Sequence, residues 1–381
     1  MSFPTAGKVL FTATLVRGHI AKFHIPYLKW FKEQGWETWV AAKNDYPDGR
    51  CEIPYCDHFV NIDFARSPFS KQVPVAYRQL RSLLKRERFD IIHAHTPVGG
   101  VLTRLAARNA RKSGTKIVYT AHGFHFYDGG PLLNWILWYP VERFMTRMTD
   151  ALVTINQEDY RRAKQFAHCK VIFIPGVGLE EDGGNSPITQ SQMREALGLK
   201  GDDFVILAVG DLNSNKNHSV LIKAISKLDR NTKLLIAGNG PLKQHLEKEA
   251  DTYRVSSRVQ LLGFRTDIND LLRACDIFCL PSKREGLPVS LIEAIAAGIP
   301  CLTSNARGCS DVLGPLSSVC IVKKNTETEW AKSIQLFKDQ QYRSRIGVAL
   351  RKQSKQFTLE NVLPNYVSLY LSLFSEGADN K

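Results

Sequence analysis

The chain has 381 residues, of which 44% are hydrophobic, enough for two domains with full cores. Its eight cysteines (Cys51, Cys56, Cys169, Cys275, Cys279, Cys301, Cys309, Cys320) form no CxxC pair and several lie in apolar runs, which excludes a disulfide frame and points to a reducing, cytosolic setting. The net charge of +14 favours anionic partners and is uneven, with 25 Lys and Arg against 14 Asp and Glu up to Pro175 and 26 against 23 beyond it.

In chain order, residues 1–19 lack a signal-peptide pattern, because their apolar run is short and broken by Thr. Residues 8–14 read as a strand ending in a loop with Gly18 and His19, followed by a helix over 23–34 and a strand over 38–42. Residues 77–88 read as an amphipathic helix, with Leu80, Leu83 and Leu84 on one face and Arg78, Arg81, Lys85 and Arg88 around it. A strand over 91–94 leads to a helix over 99–111, and strands follow at 116–120 and 151–155. The apolar stretch 131–141 is too short to span a membrane. Residues 131–148 combine Trp135, Trp138, Tyr139 and Phe144 with Arg143 and Arg147, which suits either an interfacial patch or a buried helix.

Residues 179–187 are rich in Glu, Asp, Gly and Asn and read as a linker. The alternation restarts with a strand at 204–209 and a helix at 219–228, then strands at 233–237, 259–262, 277–280 and 300–303. The stretch 358–374 is helical in period, with Pro364 inside it. Strands alternating with helices imply an α/β architecture of two doubly wound domains with parallel sheets, whose ligand sites lie beyond the carboxyl ends of the strands.

The chemistry-bearing residues gather at those strand ends. The stretch SKREGLPVSLIEAIAAG, residues 282–298, sets Glu285 in a polar loop beside Gly286 and Pro288, with Glu293 in the apolar helical run that follows. Pro near the start and Gly past the end are helix signals, so a helix is expected to begin close to Glu285. Its first amides then offer a place for a diphosphate, with carboxylates on either side to accept hydrogen bonds from sugar hydroxyls. An unpaired buried carboxylate is costly, so Glu293 is expected to carry a role.

Upstream, VGDLNSNKNH runs from a strand into Gly210 and offers Lys216 among Asn213, Asn215 and Asn217. Gly238 and Gly240 end another strand, where they let backbone pass close to a ligand. Gly263, Phe264 and Arg265 follow a third, and residues 305–308 form a neighbouring loop. In the first half, TAHGFHFYDGG exposes His122 and Gly123 at a strand end, where a neutral imidazole can donate to a hydroxyl. His24, His93, His95 and His125 lie in the same half. Their spacing matches no zinc site and the chain has no Asp-x-Asp, so no metal is expected.

The 282–298 stretch resembles the E-x7-E signature of retaining GT-B glycosyltransferases of family four, and the other loops extend the resemblance over nearly the whole chain. It is similar to bacterial transferases that build exopolysaccharide and capsule repeat units on a lipid carrier. The resemblance implies the GT-B fold: two facing Rossmann-like domains, with a C-terminal helix crossing back to the first. The acceptor domain would be 1–178 plus 358–381, and the donor domain 188–357.

It also implies site roles. Glu285 would bind the transferred sugar, Glu293 the ribose, and Lys216 the diphosphate, with the amides of Gly286, Leu287 and Val289. Gly210, Asn213, Gly238, Gly240, Phe264 and Arg265 would complete the donor site, Gly18 would approach the diphosphate, and His122 would lie against the sugar. His122, Glu285 and Lys216 form the expected catalytic set. No carboxylate nucleophile is evident, so front-face displacement with retention is implied. The co-substrate would be a UDP-sugar, with no metal or other cofactor. The acceptor would be a polyprenyl-diphosphate-linked glycan, reached from the cytoplasmic face of an anionic membrane, with no nucleic-acid partner.

The chain departs from the family in two places. Asp211 stands where many relatives carry Arg, and His19 stands where they often have a second glycine. Two other readings are weaker. A non-hydrolysing sugar-nucleotide epimerase shares the layout but lacks the Glu-x7-Glu loop. A basic anionic-polymer-binding protein would need a binding module, and the sequence shows none.

Overall fold

A computed structural model describes residues 6–180 and 188–375; most of the expected linker, residues 181–187, lies outside them. The chain forms two compact units. The first runs to Gly178 and takes in the chain again from Glu360; the second is Leu179–Leu359.

The first unit is built on β1 (Lys8–Leu15), β2 (Glu37–Lys43), β3 (His58–Asn61), β4 (Ile91–His95), β5 (Lys116–Ala121), β6 (Ala151–Thr154) and β7 (Lys170–Phe173). All pair parallel in the order β3-β2-β1-β4-β5-β6-β7. The central strands are buried along nearly their whole length, which is why they read as continuous apolar runs. β3 and β7 are absent from the sequence expectation. They are edge strands of four residues, largely half-exposed, and give no such run.

Helices α1 (Ile25–Glu33), α2 (Val73–Arg86), α3 (Pro97–Ala106) and α4 (Leu132–Met145) cover this sheet. The expected loop after β1 is instead a π-helical turn, Val16–Ile20, that carries Gly18 and His19. The helix expected over 99–111 breaks at Ala107 into two pieces. In α2, Leu80 and Leu83 are buried while Arg78, Arg81 and Lys85 are exposed, so the amphipathic reading holds face by face. A buried ion pair ties α3 to α4. Arg104 donates from Nη2 to Glu142 Oε2 at 3.0 Å, and its guanidinium lies 3.8 Å from the Tyr119 ring centroid.

The second unit carries β8 (Phe204–Val209), β9 (Thr232–Ala237), β10 (Val259–Gly263), β11 (Ile277–Leu280), β12 (Cys301–Ser304) and β13 (Ile321–Val322), in the order β10-β9-β8-β11-β12-β13. Helices α5 (Ser219–Ile225) and α6 (Val289–Ala296) follow β8 and β11. The last helix, α7 (Leu359–Ser375), belongs from Glu360 onward to the first unit. Its Val362, Tyr366, Leu369, Tyr370 and Leu373 join the core that holds Phe11, Tyr27 and Phe31. Each unit is therefore a Rossmann-like doubly wound sheet with one reversal of strand order, between β1 and β4 in the first and between β8 and β11 in the second.

Candidate active site

At the second reversal point, the loops after β8 and β11 meet. Lys216 Nζ lies 2.8 Å from Glu285 Oε1, with the two side chains 20% and 12% exposed. Asn213 Oδ1 accepts the amides of Asn215 and Lys216, each at 3.0 Å, which turns the loop and aims the lysine. Asn213 is thus a positioning residue for Lys216. Asn215 joins the loops, donating from Nδ2 to the Arg284 carbonyl at 2.9 Å while its own carbonyl accepts the Lys283 amide at 2.7 Å.

The helix begins later than the sequence reading placed it: Pro288 is the N-cap and Val289 the first helical residue of α6. The Pro288 carbonyl accepts from Leu291 and Ile292. The amides of Val289 and Ser290 precede these and, as at any helix start, have no partner within the helix. Gly298, at φ +77°, follows the C-cap Ala297. Glu293 is only half-buried, so the burial penalty that singled it out in the sequence does not apply in that form.

The glycines also play a part in the fold itself. A Cβ on Gly238 would lie 2.0 Å from the Gly210 carbonyl oxygen, and one on Gly240 would lie 2.5 Å from that of Leu212. These residues let neighbouring loops stack backbone on backbone, a requirement independent of any ligand. The same device joins the Glu285 loop to residues 305–308: a Cβ on Gly308 would sit 2.1 Å from the Gly286 carbonyl oxygen. Arg307 Nε donates to the Glu285 carbonyl at 3.1 Å. This places a cation next to the site that the sequence reading left without a role. Arg265 is paired with Asp267, Nε to Oδ1 at 2.7 Å, and Phe264 is exposed.

In the first unit the reversal point is marked by Thr96, at φ +62°, whose Oγ1 lies 2.7 Å from Thr14 Oγ1. Beside it opens a pocket of about 320 Å³, lined among others by Gly18, His19, Arg66, Thr96, His125 and Trp138. Arg66 and Trp138 carried no site role in the sequence reading; the fold brings both to the lining of this pocket. The Gly18 amide donates to Asp45 Oδ2 at 3.2 Å and that of Arg17 to Asp45 Oδ1 at 2.6 Å. A carboxylate thus holds the backbone of the turn that carries Gly18.

His122 follows β5, and its Nε2 lies 3.3 Å from His95 Nδ1. Burial pushes its pKa down to about 4, so the imidazole is neutral at ordinary pH and donates from one nitrogen only. His93 is held by Tyr370 at 2.7 Å and Thr120 at 2.8 Å and takes its place in the core. Among the described residues, one group has the geometry to hold a metal: His19, His24, His95 and His122.

Two family models match the chain. "Glycosyltransferase Family 4" covers residues 27–176, and "Glycosyl transferases group 1" covers 189–353. The putative glycosyltransferase EpsD of Bacillus subtilis is 38% identical over 371 residues, covering 95% of this chain and 96% of EpsD. A UDP-Gal:alpha-D-GlcNAc-diphosphoundecaprenol alpha-1,3-galactosyltransferase of Escherichia coli is 34% identical over 60% of this chain and 61% of that enzyme. The crystal structure of HepE from Anabaena in complex with UDP and glucose superposes with a TM-score of 0.79 at 19% identity, covering 96% of this chain and all of HepE.

Proposed function

This chain belongs to the family 4 glycosyltransferases of GT-B fold, and we propose that it transfers a hexose or N-acetylhexosamine from its UDP derivative, with retention, to a polyprenyl-diphosphate-linked glycan in exopolysaccharide assembly. The observation that carries this reading is the Lys216–Glu285 pair at the mouth of α6, on the reversal point of the second sheet. It brings a phosphate cation, helix amides and a hydroxyl acceptor within one short span, the layout a sugar diphosphate needs. The named donor and lipid acceptor of the Escherichia coli relative support the choice of substrates.

The second unit binds the donor. Lys216 and the Val289 and Ser290 amides hold the diphosphate, with Gly286 and Leu287 in the approach and Glu293 on the ribose. Arg307 supplies the second cation that Asp211 does not. The backbone at Phe264 and Arg265 meets the base. The first unit binds the acceptor in the pocket beside Arg66 and the first turn of α3, and His122 donates to a sugar hydroxyl. In the reaction the anomeric C–O bond to phosphate breaks while the acceptor oxygen bonds the same face. The acceptor proton passes to the departing phosphate oxygen, whose charge Lys216 and the helix amides stabilise. No divalent ion is needed at the diphosphate.

The test is a panel of UDP-sugars with undecaprenyl-diphosphate-GlcNAc as acceptor, scored by the mass and anomeric configuration of the lipid product. One sugar added in the α configuration, at a rate that added Mg²⁺ leaves unchanged, is the expected result. An inverted product or a Mg²⁺ requirement would end this reading.

The acceptor's lipid also explains α4. Its Trp135, Trp138 and Tyr139 turn inward onto the core, while Leu132 (74% exposed), Leu133 (62%), Ile136 (61%) and Phe144 (50%) face solvent, with Arg143 and Arg147 exposed beside them. The 133, 136, 137, 140, 141, 144 spacing makes one apolar ridge. No helix among the described residues is long and apolar enough to cross a membrane. The ridge instead dips into an anionic surface, with each nearby Lys or Arg adding about 1 kcal/mol. Replacing both Ile136 and Phe144 with Glu is expected to cut co-sedimentation with phosphatidylglycerol vesicles by about tenfold or more. Undiminished sedimentation would refute the assignment.

A further inference from the structure

Elements far apart in sequence bring four imidazoles together in the first unit. His19 stands on the π-helical turn after β1, His24 just before α1, His95 at the end of β4 and His122 just past β5. Their ligating atoms all lie within 4.8 Å of one another. Ring centroids are 3.9 Å apart for His24 and His95, 4.6 Å for His19 and His122, and 5.0 Å for His19 and His24. The Nε2 atoms of His19, His24 and His95 are buried and have no hydrogen-bond partner among the described residues. A buried nitrogen in that condition costs roughly 1–3 kcal/mol, and three at one point are far from the usual pattern.

The neighbouring His93 shows what an ordinary buried histidine does: both its ring nitrogens are bonded, to Tyr370 and Thr120. The Nε2 atoms of His19, His24 and His95 have no such partner among the described residues, while His122 Nε2 meets His95 Nδ1 at 3.3 Å. A tetrahedral ion with metal–nitrogen bonds of about 2.0–2.1 Å needs its ligands roughly 3.3 Å apart. His95 Nδ1 and His122 Nε2 are already 3.3 Å apart, so His95 would ligate through Nδ1, and the unpartnered ligand nitrogens are the Nε2 atoms of His19 and His24. Neutral imidazole is the form that ligates such an ion.

We propose that His19, His24, His95 and His122 form a four-nitrogen site for a divalent ion of the zinc class. Nitrogen-only ligation by neutral imidazoles selects Zn²⁺, Cu²⁺, Ni²⁺ or Co²⁺ over Mg²⁺ and Ca²⁺, which take oxygen ligands. The ion locks the π-helical turn and the start of α1 onto the ends of β4 and β5. A neutral imidazole bound through one nitrogen carries its proton on the other, so the ion also fixes His122 as an N–H donor. The site is distinct from the diphosphate position in the second unit, and it stands on this cluster alone, whichever sugar the protein transfers.

The sequence gives no sign of the site, because the four positions follow no short-range ligand spacing. The test uses the full chain purified without a histidine tag. Elemental analysis is expected to find close to one zinc per chain. After chelation, Co²⁺ is expected to restore one equivalent, with the intense visible band of tetrahedral cobalt. Mg²⁺ should not compete. His24→Gln and His95→Gln, each checked for folding by near-ultraviolet circular dichroism, should weaken Co²⁺ binding by about 100-fold. His19→Gln, at the rim of the cluster, serves if either variant does not fold. Folded wild-type protein without zinc and without the cobalt band would overturn the proposal, as would folded variants that keep wild-type affinity.

Discussion

Glu285→Ala is expected to lower kcat by about 10³-fold while UDP itself binds at least as tightly as to the unaltered protein. The Glu285 carboxylate accepts from Lys216 at 2.8 Å. Its removal takes away the acceptor that orients the sugar, a loss of about 2.7–4 kcal/mol if felt mainly in the transition state. It also frees Lys216 from its counter-charge, so the ammonium meets the diphosphate without first leaving a carboxylate. The split between a collapsed kcat and a maintained UDP affinity is the distinguishing mark. Calorimetric titration with UDP and initial rates with the UDP-sugar measure the two halves. If UDP affinity fell together with kcat, Glu285 would be a structural support for the loop and not a sugar ligand.

Lys216→Ala is expected to move both quantities the same way: UDP Kd rises about 10–100-fold and kcat falls about 10²–10³-fold. One charge-assisted contact to the diphosphate disappears, and the leaving group loses the cation that stabilises it. The Glu285 carboxylate is left without its partner next to the incoming phosphates, where it repels them. Adding Glu285→Ala to Lys216→Ala should therefore restore part of the lost UDP affinity without restoring turnover. The opposite signs of the two single variants on UDP binding follow from the observed ion pair. Equal losses in both would show that the pair acts only as a clasp between the loops.

The alternation of apolar runs and helical periods made both doubly wound sheets legible, since a parallel strand buried on both faces has to be written in Val, Ile, Leu and Phe. The edge strands β3, β7 and β13 escaped, being short and partly solvated. The strand-end loops were legible too, through Lys216, Glu285 and the Gly-Leu-Pro that precedes α6. What the structure adds shares one cause: each point depends on what a residue touches. Gly238 and Gly240 are expected to make room for a ligand, and the structure shows that they also make room for the backbone of Gly210 and Leu212. Gly18 is expected near the diphosphate, and the structure adds that its amide is held by Asp45, a partner 27 residues away that no local pattern marks. In α4 the sequence left an interfacial patch and a buried helix equally open, and the structure divides the residues: Trp135, Trp138 and Tyr139 turn inward, while Phe144 and the aliphatic residues face out.

By itself the sequence determined two α/β units, where their strands end, and which loops carry the ionic and amide groups, because periodicity and local turn chemistry are written over a few residues. Only the tertiary structure decided which of those groups meet. Lys216 and Glu285 are 69 positions apart and pair through adjacent strands, and the four clustered histidines come from three strand ends and a helix start. The physical reason is that parallel strands joined by crossovers bring sequence-distant carboxyl ends to one edge, and no local pattern records which side chains the sheet order will set side by side.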